Sequence, residues 1–234
     1  MQKEVGGYYH IYNRGVDKRT IFEDDADRWR FLQALGLFNH EKSRSEVLWK
    51  LENEGDGANM KTLRKYLDDR ENNPLIKVMA DCLMDNHYHL LLKEVAEDGI
   101  ARFMQKLGTS YTMYFNKKYD RAGSLFGGGY KFKKVETTEY LKYLLVYINV
   151  INPGEIAQPD LREAGAKNID KIMDFVADYD WSTHKEYLQT RDSFIIDKDI
   201  LGKIFNNSQK YKEFCKMALR SEKYKQIKHL TFES

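Results

Sequence analysis

The sequence predicts an α+β sandwich, a small and mostly antiparallel sheet with helices on one face, followed by an α-helical extension. Three observations carry this. Alternating or apolar β-prone runs stand at "GYYHIYNRGV", "LIKVMADCLM" and "HYHLLLKE", and apolar residues at helical spacing fall between and after them. The order that results is β-α-β-β-α-β-α. Beyond about Glu155 the chain turns polar and helical, as in "NIDKIMDFVADYD".

The run from Gly7 to Val16 opens the order as a strand that ends at the turn Asn13-Arg14-Gly15. Trp29, Leu32, Leu35 and Phe38 then recur at three-residue intervals behind Asp24 or Asp25 as N-cap, which predicts a helix. Residues 43–74 are polar and read as an insertion, with "KTLRKYLDDRENNP" a short surface helix. The next runs form a hairpin across Asp85-Asn86. Ile100, Phe103, Met104, Leu107, Tyr111 and Phe115 mark an amphipathic helix behind Asp98. "GSLFGGGYKFKKVE" reads as a glycine-bent strand, and "TTEYLKYLLVYINVINPG" as a helix stopped by Pro153 and Gly154. Residues 1–155 are thus expected to form one domain carrying the insertion, and residues 156–234 the extension.

Composition excludes several classes. A chain of 234 residues, 42% hydrophobic, is long enough to bury a core without staples. Cys82 and Cys215 are far apart and outside any CxxC, so neither a disulfide framework nor a cysteine zinc site is suggested. The N-terminus lacks an apolar signal segment, and no run approaches the roughly 20 apolar residues of a membrane span. A cytoplasmic protein without a membrane partner is expected. No GxxxxGK[ST] is present, and "GGGYK" reads better as a bent strand than as a phosphate cradle.

Charge is more informative by position than by sum. The net charge is +2, yet Arg102–Lys134 holds eight Lys/Arg against Asp120 alone, while Gly154–Asp180 holds seven acids against three bases. The basic stretch is interleaved with aromatic rings, which suits phosphates and unpaired bases. Phe103, Tyr111 and Phe115 belong to the helical core stripe; Lys117, Lys118, Arg121, Lys131 and Lys133 are the cations expected to face nucleic acid.

Within "NHYHLLL", His87 and His89 share one face of a strand. They either ligate one divalent ion or are two histidines on a half-buried strand. Imidazoles suit Mn, Zn or Ni, whereas Mg prefers oxygen, and a third ligand is required. In the helix ahead of Pro153, Leu141, Leu144, Leu145 and Ile148 form a core stripe, with Tyr140, Tyr143, Tyr147 and Ile151 beside it. Those tyrosines either border the core with wet hydroxyls or supply a nucleophile.

Taken in order, "NHYHLLL", "MQKLGTSYTMYFNKKYDRAGSLF", "YLKYLLVYINVIN" and "YDWSTHKEYL" resemble the REP-associated, single-tyrosine members of the HUH transposase family, the IS200-like transposases. The resemblance runs from about Tyr8 to Leu188 and is weak across the insertion. It implies a ferredoxin-like core that cuts and rejoins single-stranded DNA at hairpin-forming ends. His87 and His89 would hold a divalent metal, Mg or Mn. Tyr147 would attack a backbone phosphate, leaving a 5′-phosphotyrosine and a free 3′-OH. Arg14 would join the basic cluster in contacting DNA, and the REP-associated type implies a monomer.

The sequence also departs from that pattern. Relatives carry an amide four residues after the tyrosine, where Ile151 stands here. On a regular helix Asn149 and Asn152 lie roughly 160° and 140° from Tyr147, so neither replaces it unless the turn before Pro153 unwinds and swings Asn152 inward. Gly127 and Gly129 stand where relatives often have Gln and Arg, and Asp85 where Pro is common, adding a carboxylate near the metal or merely changing the turn. The competing expectation is a non-catalytic nucleic-acid-binding protein that keeps this scaffold.

Overall fold

The computed structural model describes residues 3–40, 47–48 and 73–230, with side chains to Ile227. The insertion read over 43–74, with its surface helix, lies almost wholly outside the described residues. Alternation in "YYHIYNR" makes β1, Tyr8–Arg14, which takes in Asn13 and Arg14 of the turn expected to close it. After α1, Asp25–Leu37, the strands β2, Ile76–Met84, and β3, His87–Glu94, form the expected hairpin across Asp85-Asn86. Then come α2, Gly99–Lys118, and β4, Lys131–Val135. The sheet is four-stranded and antiparallel in the order β2-β3-β1-β4, the topology of a ferredoxin-like sandwich.

Register assigns each residue to a face. Tyr12 lies opposite both His89 and Lys131, His10 opposite Leu91 and Lys133, and Arg14 opposite His87. These residues therefore share one side of the sheet. The other side carries Tyr9, Ile11, Tyr88, Leu90 and Leu92, which pack with Phe31 and Leu35 of α1 and with Phe103, Leu107 and Tyr111 of α2. Each such buried side chain contributes roughly 1.5–3 kcal/mol. Asp24 caps α1 by accepting from the Asp27 amide, while Asp98 precedes α2 in a left-handed conformation without a side-chain cap.

The second face is covered as well, so helices on one face describes only α1 and α2. Over it lie α3, Thr138–Val146, and α4, Asn152–Ala157, joined by a π-helical turn at Tyr147–Ile151. Thr137 caps α3 by accepting from the Tyr140 amide. Pro153 does not stop this helix, nor does the turn before it unwind: Asn152 is helical, with φ −57° and ψ −57°. Pro153 has no N–H, and its ring would collide with the carbonyl four residues back in an α-helix. Widening by one residue relieves that clash, and the Asn152 amide donates to the Tyr147 carbonyl five residues back.

The extension completes this second layer through α5, Leu161–Ala164, α6, Ile169–Asp178, α7, His184–Tyr187, α8, Asp199–Ile204, and α9, Ser208–Ser221. Leu161, Ile172, Leu201, Tyr211 and Cys215 join Leu144, Tyr147 and Ile151 in one apolar cluster. Close approach of α4 depends on Gly154, where a Cβ would sit 2.6 Å from Leu161 and 3.2 Å from Ile172. The outer edge of β2 is capped by Trp181–Thr183, which exchange backbone hydrogen bonds with Asp81 and Leu83. Among the described residues no helix is long and apolar enough to cross a membrane.

Candidate active site on the second face of the sheet

The His87 and His89 rings stand 5.1 Å apart, edge to face, on that second face. His89 is fully buried and His87 partly so. Burial, with the charges of Arg14 and Arg162 adding to it, lowers the His87 pKa to about 3. Burial likewise holds His89 well below the ordinary imidazole range, and His10, His87 and both arginines push the same way. Both rings are neutral at physiological pH, the state in which imidazole binds metals.

Three aromatic residues close around them. Tyr147 meets His89 edge-on at 5.5 Å and His10 at 6.0 Å. His10 hydrogen-bonds His89 at 2.9 Å, nitrogen to nitrogen, and Tyr12 lies 6.1 Å from the His89 ring. Tyr147 is 1% exposed, so its hydroxyl is not wet. The Arg162 guanidinium sits 5.3 Å from the Tyr147 ring, while its Nη2 reaches the Asn152 Oδ1 at 3.4 Å and pairs with Glu155. One arginine of the extension thus touches both Tyr147 and Asn152.

Residues 42–150 match the family model described as "Transposase IS200 like". That match spans a little under half of the chain. A solved structure of the REP-associated tyrosine transposase bound to a REP hairpin is similar at 11% identity, covering 84% of this chain and 94% of that one, with a TM-score of 0.48. No curated protein matches significantly. His87, His89 and Tyr147 all lie within the matched segment, whereas Asn152 and Arg162 follow it.

The remaining sequence candidates divide between the layers. Arg14, Lys131 and Lys133 share the histidine face of the sheet by register. Lys117, Lys118 and Arg121 gather at the end of α2, in the other layer. Lys118 is bound there to Asp24 and to buried Asp27, which also accepts from the Tyr114 and Tyr119 hydroxyls. These hydrogen bonds outweigh burial and raise the Lys118 pKa, whereas Arg121 lies against Asn116 and the Phe115 ring. Asp85 serves the hairpin turn: its carboxylate accepts from Arg28 at 2.6 Å and its carbonyl from the Ile21 and Phe22 amides.

Among the described residues no group of three or more His, Cys, Asp or Glu side chains is arranged to hold a metal. The Asn152 side chain is fully buried, and its Nδ2 makes no hydrogen bond. Sequence reasoning missed His10, Tyr12, Asn86 and Arg162; alternation in β1 was the available signal for the first two. A cavity of about 670 Å³ between α1, β2 and residues 191–199 lies away from this constellation.

Proposed function

We propose that the chain cleaves and rejoins single-stranded DNA at hairpin-forming sites through a 5′-phosphotyrosine, with Tyr147 as nucleophile and a divalent metal, Mg or Mn, held by His87 and His89. The observation that carries this reading is the 5.5 Å approach of the Tyr147 ring to His89 from a separate element. The phenol ring lies against one of the two neutral imidazoles, and Arg162 links it to the buried Asn152 amide.

The residues fit the ion. His87 and His89 offer neutral nitrogen donors, and Asn152, one turn beyond Tyr147 across the π-turn, would supply the third donor in place of the amide that Ile151 lacks. A bound divalent cation would polarise the scissile phosphate and offset developing charge. The chain does the rest. The Tyr147 oxygen forms a bond to phosphorus as the bond to the 3′ oxygen breaks; the phenol gives up its proton, and the leaving oxygen takes one. A phenol with an ordinary pKa near 10 needs help to ionise, and the Arg162 guanidinium lies beside its ring. Rejoining reverses these bonds and needs no nucleotide triphosphate.

Arg14, Lys131 and Lys133 would hold the DNA backbone on this face, as phosphate contacts that fix register rather than read sequence. Lys117 and Arg121 would serve a more distant stretch of DNA, with Lys118 committed to Asp24 and Asp27. The protein acts as a monomer in cis, as the sequence resemblance implies; a dimer mass by light scattering contradicts this. The functional test is a covalent adduct on a hairpin-bearing oligonucleotide, present in wild type and absent in Tyr147→Phe.

The burial of Tyr147 favours a second reading, a non-catalytic binder of hairpin DNA. That protein would bind in a salt-sensitive way, form no adduct with either metal, and lose little affinity when His87 and His89 become Ala.

A further inference from the structure

Two residues outside the expected ligand set hold the backs of the paired imidazoles. The Asn86 Nδ2 donates to the Lys18 carbonyl at 3.1 Å, which fixes the amide so that its oxygen meets the His87 Nδ1 at 2.6 Å. An amide oxygen only accepts, so His87 carries its proton on Nδ1 and its lone pair on Nε2. On the neighbouring ring, the His89 Nδ1 meets the His10 Nε2 at 2.9 Å, with the planes 20° apart and both residues fully buried. Between two neutral imidazoles only one nitrogen of that bond can donate. If His10 donates, the His89 proton sits on Nε2 and that nitrogen cannot ligate. If His89 donates, its Nε2 offers the lone pair.

We infer that His10 and Asn86 are positioning residues, each accepting from the Nδ1 of one histidine so that both present Nε2 to the same metal. The inference rests on the metal-dependent reading above. Ligating histidines generally donate their other N–H to an acceptor that fixes tautomer and ring orientation. Here an amide serves His87, and a third imidazole, from the adjacent strand, serves His89. His10 suits this because β1 alternation puts it on the histidine face, diagonal to His89 and directly opposite Leu91.

The test is Mn(II) titration calorimetry on wild type, His10→Leu, His10→Gln, Asn86→Leu and Asn86→Asp, without DNA. Both Leu variants are expected to weaken Mn(II) binding roughly 10–100-fold. Gln and Asp, which restore an acceptor oxygen, are expected to recover most of it. Equal affinity in wild type and the Leu variants overturns the positioning roles, and so does a loss that Gln and Asp do not recover, since that is packing. A wild type that binds no Mn(II), or any other divalent ion, overturns the metal reading itself. Long-range proton–nitrogen NMR on Zn-loaded wild type needs no variant: protons on Nδ1 of His87 and His89 support the inference, and a proton on the His89 Nε2 overturns it.

Discussion

The Asn152 amide donates to the Tyr147 carbonyl five residues earlier, and Arg162 touches the side chains of both. On a regular helix the residue one turn beyond Tyr147 is Ile151; in the π-turn it is Asn152. Ile151 is left fully buried in the apolar cluster. Asn152→Ala is therefore expected to reduce adduct formation and Mn(II) affinity about 10-fold or more. Ile151→Asn should not rescue it and should instead cost roughly 1–3 kcal/mol by burying an amide among apolar side chains. Rescue by Ile151→Asn in quantitative adduct gels would mean that the π-turn does not set the register.

The π-turn is anchored to the extension. Within it, the Asn149 Oδ1 accepts from Thr183 at 2.8 Å, and its Nδ2 donates to the Tyr211 hydroxyl at 3.2 Å; that hydroxyl also pairs with the His184 Nδ1 at 2.8 Å. All four residues are buried, so Asn149→Ala leaves Thr183 and Tyr211 short of partners. Urea unfolding should report a loss on the order of 2 kcal/mol. A change within a few tenths would mean that the network relaxes around the missing amide.

The basic residues should separate by layer. Lys131→Ala and Lys133→Ala are expected to weaken hairpin binding and lower the slope of log affinity against log salt by about one each, with folding unchanged. Lys118→Ala should do the opposite. Its ion pairs to Asp24 and Asp27 are part-exposed, and their loss should cost roughly 1–2 kcal/mol of stability while sparing the salt slope. A lowered slope in Lys118→Ala, measured by fluorescence anisotropy across a salt series, would contradict the assignment.

Stability should carry a pH signature from Asp81. Burial, reinforced by the Glu186 charge and opposed by Arg191, raises its pKa to about 7. An acid whose folded pKa exceeds its unfolded value of about 3.9 stabilises the fold while protonated. Its contribution is complete below pH 4 and declines as pH rises toward 7. Asp81→Asn should flatten that part of the stability–pH curve and leave the protein more stable than wild type at pH 8. Parallel curves for the two proteins in pH-resolved denaturant melts would refute this.

Much of this was legible locally. The hairpin at Asp85-Asn86 follows from two apolar runs and a turn, and the stripe from Ile100 to Phe115 is buried as its spacing predicts. The stripe in α1 is different: Phe31, Ala34, Leu35 and Phe38 are buried, while Trp29 and Leu32 are only partly covered. Steps of three residues drift round a helix, whereas i, i+3, i+4, i+7 stays on one face. His87, His89 and Tyr147 were readable as motif residues. His10 and Arg162 were not, because their places depend on strand register and on packing between segments distant in sequence. The π-turn left one trace, a proline inside an otherwise strong helical pattern.

The most direct measurement is a denaturing gel of wild type and Tyr147→Phe incubated with 3′-labelled, hairpin-bearing single-stranded oligonucleotides and Mn or Mg. The account predicts label shifted to protein mass in wild type, none in Tyr147→Phe, and none in wild type with EDTA. Hairpin binding without an adduct under either metal, or an adduct that survives Tyr147→Phe, would contradict it.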